Sequence, residues 1–259
     1  MDIFSFPQAK GIVVSGDIHG DFKQLVHKCC IQYGMTDTLI IVAGDCGFGF
    51  HSPDYYENIY LKCHSRLATA NNWIVFVRGN HDNPAYFDGK QVNRSRWKAV
   101  PDYSVLKACD HTILCVGGAI SIDRNLRMYD NYWPNERPVY DPVKLDAIND
   151  ACAIDAAVTH TAPSFCEKMS QDDIQDWLMK DKDLFNDIKH ERKVMDDIHT
   201  YLCAHNHPLQ EWYYGHFHES WHQEIEGVKY YMLNCGELRE MVMTVGTTVD
   251  NRKQTKQFL

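Results

Sequence analysis

Eight side chains in this sequence have the types and spacing to do chemistry together: Asp17, His19, Asp45, Asn80, His81, His160, His216 and His218. Each follows an apolar run, in "VVSGDIHGD", "IIVAGDCGFG", "VFVRGNHD", "AAVTHTAP" and "EWYYGHFH". The donors are oxygens and imidazoles with no thiolate among them. That set suits Mn²⁺, Fe or Zn²⁺ in a reactive centre better than a structural zinc cluster, and Mn²⁺ is favoured. Seven of the eight, all but His81, are placed to ligate, which is too many for one catalytic metal with an open position and fits two. Two metals roughly 3.5–4 Å apart clamp the attacking and leaving oxygens of an in-line displacement. Asp45 is the natural bridging carboxylate. Water on such a pair loses a proton near neutral pH and becomes a nucleophile. With only two carboxylates the centre keeps positive charge, which favours a phosphate ester over a neutral amide.

The elements that must position these groups are legible in the front of the chain. "GIVVS" (11–15), "TLIIVA" (38–43) and "NWIVFV" (72–77) read as buried strands, and 21–32 and 54–70 carry helical apolar spacing. Alternating strands and helices predict parallel βαβ units, whose ligands gather outside the carboxyl ends of the strands. Three polar turns, "SGDIHG", "GDCGFG" and "RGNHD", therefore lie side by side. Further on, 111–123 and 154–163 read as strands, 171–202 as helix, and 211–236 as a hairpin holding one more polar turn. The stretch 128–142 is a loop rich in Pro, Asn and aromatic residues.

The whole chain bounds the reading. Its 259 residues suit one large domain, taken as 1–248, with loops over 84–142 that cover the site and a loose polar tail at 249–259. Net charge is −9, which argues against an extended nucleic-acid surface. No apolar run approaches a membrane span, and the N-terminus lacks a secretory pattern, so a cytoplasmic location is expected. Ten cysteines without a Cys-x-x-Cys pair are expected to be reduced and mostly buried.

The order Asp-x-His, Gly-Asp-x-x-Gly, Gly-Asn-His-Asp, a lone His and Gly-His-x-His resembles that of the calcineurin-like metallophosphoesterases. Here it is "GDIHG" (16–20), "GDCGFG" (44–49), "GNHD" (79–82), "THTAP" around His160, and "GHFH" (215–218). The resemblance implies a mixed α/β fold, a four-layer α/β/β/α sandwich of two mixed sheets. It implies that Asp17, His19 and His218 hold one metal, that Asn80, His160 and His216 hold the second, and that Asp45 bridges them. It also implies that a bridging hydroxide attacks phosphorus while His81 steadies the transition state and protonates the leaving oxygen.

Two departures from the family follow. The serine/threonine phosphatase branch carries Asp-Arg after its second motif, supplying a phosphate-binding cation and a partner for the catalytic His. Phe48 and Gly49 stand there instead. Asp82 is then expected to orient His81, or else to cap a helix. Arg124 and Arg127 are the first candidates to bind phosphate, with Arg94 and Arg96 second. The expected activity is phosphomonoester hydrolysis. A phosphodiesterase or nucleotide hydrolase, with Trp97, Tyr132 and Trp133 lining an open cleft, is the alternative. An interaction scaffold that binds metal without turnover is the alternative of another class, and the intact ligand set with His81 argues against it. Asp197-x-His199 and His205-x-His207 mimic the motifs but lie in and just after a helical pattern. The first reads as a solvated helix face and the second as a helix C-terminal turn.

Overall fold

The computed structural model describes residues 1–127, 132–166, 174–242 and 257–258. Its front half runs β1 (Ile3–Ser5), β2 (Gly11–Ser15), α1 (Phe22–His27), β3 (Thr38–Val42), α2 (Pro53–Ala70) and β4 (Trp73–Phe76). The middle holds β5 (Asn93–Arg94), β6 (Trp97–Ala99), β7 (Ser104–Ala108), β8 (His111–Val116), α3 (Pro142–Asn149) and β9 (Ala156–Thr159). Then come α4 (Gln175–Lys180), α5 (Leu184–Ala204), β10 (Glu211–Tyr214), β11 (Trp221–Ile225), β12 (Val228–Met232), β13 (Leu238–Glu240) and β14 (Gln257–Phe258).

The strands form two sheets, ordered β14-β13-β2-β3-β4-β6-β5 and β1-β7-β8-β9-β10-β12-β11. The centre of each is parallel, β2, β3, β4 and β6 in one and β8, β9, β10 and β12 in the other. Antiparallel pairs flank both centres, so both sheets are mixed. The continuous apolar runs of β2, β3 and β4 follow from burial on both faces. Successive side chains alternate sides. Ile12, Val14, Leu39, Ile41 and Val75 meet Leu106, Ile113, Cys115, Val158 and Tyr213 between the sheets. Val13, Ile40, Ile74 and Phe76 point the other way, onto Phe22, Leu25, Ile59, Cys63 and Leu67 of α1 and α2. The outer face of the second sheet, with Val105, Leu114, Trp212 and Tyr230, packs on Leu145, Ile148, Met195, Ile198 and Leu202 of α3 and α5. The result is helix, sheet, sheet, helix, as expected.

Several elements differ in detail. The 21–32 stretch is α-helical to His27 and then widens into a π-helical turn over Lys28–Gln32. The 171–202 pattern is two helices, broken at Asp181–Asp183, where Asp181 accepts from Arg124; residues 171–173 lie outside the described residues. The expected hairpin is β11 with β12 alone, whereas β10 runs parallel to both β9 and β12. Of the 128–142 loop, 128–131 lie outside the described residues, as does the tail except Gln257 and Phe258, which pair with β13. Asp197 is half-buried and bonds Lys193, but His199 is buried against Phe165 rather than solvated. Two positions apart on a helix, the pair faces different surroundings. No helix among the described residues is long and apolar enough to cross a membrane.

Candidate active site

Five strand ends converge. Asp17 and His19 follow β2, Asp45 follows β3, and Asn80 and His81 follow β4; His160 follows β9, while His216 and His218 follow β10. One sheet thus presents three turns and the other two, at the carboxyl ends where open α/β sheets bind ligands. All eight side chains come together there. His218 Nε2 is 3.0 Å from Asp17 Oδ2 and 3.1 Å from His19 Nε2. His160 Nε2 is 2.9 Å from Asn80 Oδ1 and 3.2 Å from Asp45 Oδ1. His81 Nε2 is 3.7 Å from Asp45 Oδ2.

The backbone is bent to make this possible. His19, Asp45, His216 and His218 all hold positive φ, from 43° to 70°, a region that costs a non-glycine residue energy and persists only where surroundings enforce it. The glycines before the motif residues are needed for close approach. A Cβ on Gly79 would collide with the Asp45 carboxylate, and one on Gly215 with that of Asp17. Main-chain N–H groups reach the same carboxylates: His216 donates to Asp17 Oδ1 (3.0 Å) and His81 to Asp45 Oδ1 (2.9 Å).

The donor set fits cations. His160 Nδ1 donates to the Ala43 carbonyl (2.8 Å), and Asn80 Nδ2 donates to Ser121 Oγ (3.0 Å). Those two bonds turn the Asn80 oxygen and His160 Nε2 toward each other, with Asp45 Oδ1 beside them. Three electron-rich atoms at one point require a proton or a metal between them. Without metal the proton serves: burial opposes a charged His160, but Asp45 outweighs it and lifts the ring to about 10. Asp45 is held far below the usual carboxylate range, chiefly by His160 against the opposing burial. Burial, with the charge of His160, pushes His216 well below the ordinary imidazole value. The hydrogen bond to Asp17 raises His218. Among the described residues, two groups could each hold an ion: Asp17, His19, His218 and Cys235, and Asp17, Asp45 and His160. Asp17 belongs to both. Cys235 is a site residue that the sequence reading passed over, because "LNCGE" resembles no ligand motif and lies beyond the last family signature.

Further supports also escaped the sequence. Ser121 N–H and O–H both donate to the buried Glu136 (2.9 and 2.6 Å), which leaves the Ser121 oxygen to accept from Asn80. Burial raises Glu136 to about 7. Glu191, also buried and raised by burial to about 7, accepts from Ile120 N–H and Thr161 Oγ1, tying the β8 and β9 ends together. No spacing rule marks either glutamate, since each acts across 15 or more residues.

The secondary candidates divide. Arg127 reaches the site: its guanidinium lies against both nitrogens of His81, with Nη2 2.7 Å from Nε2. Arg124 does not, being drawn to Asp181 (2.7 Å) and Asp187 (2.6 Å). Arg94 pairs with Glu57 on the surface, and Arg96 binds the Asn71 side chain and the Asn72 carbonyl. Asp82 neither touches His81 nor caps a helix. Its buried carboxylate accepts from the N–H groups of Cys46, Gly47, Phe48 and Gly79, while Asn83 caps the short 3₁₀ turn at Pro84–Phe87. Trp97 is buried under α1 and does not line the cavity over the site. A cavity of about 600 Å³ opens over His19, Asp45, Asn80, His81, His216 and His218. Ile120, Ser121, Ile122, Asp123 and Arg127 from the 84–142 region line it, and its aromatic wall is Trp177 and Phe217 rather than Tyr132 and Trp133.

A family model described as calcineurin-like phosphoesterase matches residues 11–219. The Thermus thermophilus protein TT1561 has a similar fold, with a TM-score of 0.54 at 13% identity over 90% of this chain and 94% of its own. A phosphopantetheinyl hydrolase from Mycobacterium tuberculosis aligns at a TM-score of 0.43 and 14% identity, over 87% of this chain and 90% of its own. A protein serine/threonine phosphatase from Saccharomyces cerevisiae aligns at 0.40 and 14%, over 100% and 83%.

Proposed function

This chain belongs to the calcineurin-like phosphoesterase family, a family that uses divalent metals, and from that premise we propose that it is a two-metal phosphomonoesterase. The observation that carries the reading is the meeting of Asn80 Oδ1, His160 Nε2 and Asp45 Oδ1, the two oxygens lying 2.9 and 3.2 Å from the ring nitrogen. Asp17, His19 and His218 would hold the first metal, Asn80, His160 and His216 the second, and Asp45 the junction. Bound there, the cations supply Lewis acidity at the phosphoryl oxygens and acidify water. His81, in the cavity beside Arg127, is the proton donor to the leaving oxygen. Arg127 leaves the ring of His81 to clamp a phosphoryl group with two parallel N–H bonds. The buried His160 stays fixed in its tautomer by Ala43. Mn²⁺ is the proposed metal at the second position, whose oxygen and imidazole donors suit it.

The cavity exceeds what a phosphoryl group fills, so the ester carries an organic group that reaches Trp177 and Phe217. The same room favours a second reading, a diester or nucleotide substrate. All ten cysteines are free, which supports a reducing, cytoplasmic setting. The test is hydrolysis of p-nitrophenyl phosphate and its bis-ester by metal-stripped protein reloaded with Mn²⁺. Mn²⁺-dependent turnover with the monoester faster is expected; a faster bis-ester selects the diesterase, and two bound metals without turnover of either selects the scaffold. Asp17 rivals Asp45 as the bridge, because it is common to both donor groups. Metal analysis decides: loss of both ions in Asp45→Asn and of one in Asp17→Asn supports Asp45, and the reverse moves the bridge.

A further inference from the structure

We propose that Cys235 is a thiolate ligand of the first metal position, so that the two positions differ in the metal they select. The inference rests on the two-metal reading only in needing a cation beside Asp17. The Cys235 Sγ, an Asp17 oxygen, and nitrogens of His19 and His218 all lie within 4.8 Å of one another. One ion with bonds of about 2.3 Å to sulfur and about 2.1 Å to nitrogen closes such a span by small side-chain shifts.

The thiol is carried there by the main chain rather than by its own bonding. Gly236 N–H donates to the Asp17 carbonyl (2.8 Å), and Gly16 N–H donates to the Glu237 carbonyl (3.0 Å). Asn234 N–H is held by Glu237 Oε2 (2.9 Å), and Lys28 grips the Gly236 carbonyl (2.8 Å). The 234–237 turn is thereby locked to the strand end that presents the first ligand. Cys235 is also not packed as a small apolar residue. It is exposed, as only Cys203 is among the other nine cysteines.

Its direction of approach matters. His19 and His218 line the substrate cavity, whereas Cys235 does not. A thiolate would complete the first ion from behind and leave the substrate side open. On binding, the thiol proton passes to solvent and sulfur donates its lone pair to the ion. With Asp17, Asp45 and the thiolate opposite two dications, one net positive charge remains until the bound water loses its proton. Sulfur is soft, so the first position favours Zn²⁺, Co²⁺ or Fe²⁺ over Mn²⁺, while the second, built from oxygen and imidazole, carries no such bias. The two positions would then differ in the metals they accept, and the donor set would include one thiolate.

The test is spectroscopic. Metal-stripped full-length protein is loaded with two equivalents of Co²⁺, and the near-ultraviolet thiolate-to-cobalt charge-transfer band is recorded. The band is expected in the native chain and absent from Cys235→Ser and Cys235→Ala, whose far-ultraviolet circular dichroism reports retained folding. Zn²⁺ affinity at one position should fall ~10-fold or more in Cys235→Ser, with Mn²⁺ affinity nearly unchanged. Two bound cobalt ions without the band, or a band that persists in Cys235→Ser, overturns the proposal. Failure to bind cobalt at all overturns it together with the two-metal reading. A band without ester hydrolysis keeps the ligand and removes the phosphatase; hydrolysis without a band does the opposite.

Discussion

Arg127 and His81 share one contact surface: the guanidinium faces both ring nitrogens, Nη2 2.7 Å from Nε2, while its Nε is held by Asp123 at 2.9 Å. A neutral imidazole has one acceptor nitrogen, so only one of the two contacts is a true hydrogen bond. Burial, and to a lesser degree Arg127, lowers His81 against the pull of Asp45. Released from the ring, the two Nη groups can turn to a phosphoryl oxygen. Arg127→Ala is expected to lower kcat/KM by about 10²–10³, the usual loss for one oxyanion donor. Arg127→Lys should recover only part, lacking the planar fork. Metal content should not change. Arg124→Ala, whose partners are Asp181 and Asp187, should leave kcat/KM within about twofold. Steady-state kinetics decide, and an unaltered Arg127→Ala removes Arg127 from substrate binding.

As a ligand Asn80 would serve only with its amide oxygen facing the metal position. Glu136 takes both donors of Ser121, and the freed Ser121 oxygen accepts from Asn80 Nδ2. This chain of three aims Oδ1 at the second position. Outer partners of this kind typically contribute about 10–100-fold in metal affinity. Ser121→Ala and Glu136→Gln should each weaken one of the two ions by that factor, read by calorimetric titration. Equal weakening of both ions, or of neither, would assign the chain to folding instead.

The candidate site was more legible in the sequence than its supports, for a physical reason. The candidate ligands sit at strand ends, where an apolar run, a glycine and a donor occur within a few residues, so Asp17 through His218 could be picked out locally. The second sheet came only through family resemblance, because the strands read at 111–123, 154–163 and 211–236 carry no local signal of which sheet they join. Residues acting over long separations left no local pattern. Glu191 reaches Ile120 across 71 positions and Glu136 reaches Ser121 across 15. Arg124 and Arg127 were indistinguishable in "DRNLR", because the acidic residues that claim Arg124 lie near α4 and α5. Asp82, beside His81 in sequence, points to the opposite side of the turn.

That turn gives a stability prediction. Asp82 gathers four main-chain N–H groups of the second and third motifs, at 2.7 to 3.0 Å. Removing the carboxylate would leave several buried donors without partners, at about 1–3 kcal/mol each. Asp82→Ala should therefore cost about 3 kcal/mol or more in denaturant unfolding and loosen metal through Asp45 and Asn80. Asp82→Asn keeps the shape but places an amide N–H₂ against N–H donors, so it should fall between. A fully stable Asp82→Ala with low kcat would restore the direct role beside His81.

His111 gives the pH dependence of the fold away from the metal site. Its Nδ1 is 2.8 Å from Asp155 Oδ1 and its Nε2 is 3.0 Å from the Val242 carbonyl. Both neighbours accept, and only the imidazolium donates from both nitrogens. The bond to Asp155 raises His111, with Glu211 of β10 adding to it and burial opposing. Glu211 is itself raised by burial, and the second Asp155 oxygen accepts from Thr112 N–H at 2.9 Å. A folded value above the unfolded 6.5 means the native state holds the proton more tightly. The stabilisation is therefore full below about pH 6.5 and is lost as pH rises through the folded value, at no more than ~1.4 kcal/mol per pH unit for one proton. His111→Gln removes that titration. In metal-free protein, the stability gap between native chain and His111→Gln should be wider near pH 6 than near pH 9, by urea unfolding. A gap that is constant with pH, or that widens upward, would show that His111 is neutral in the folded chain.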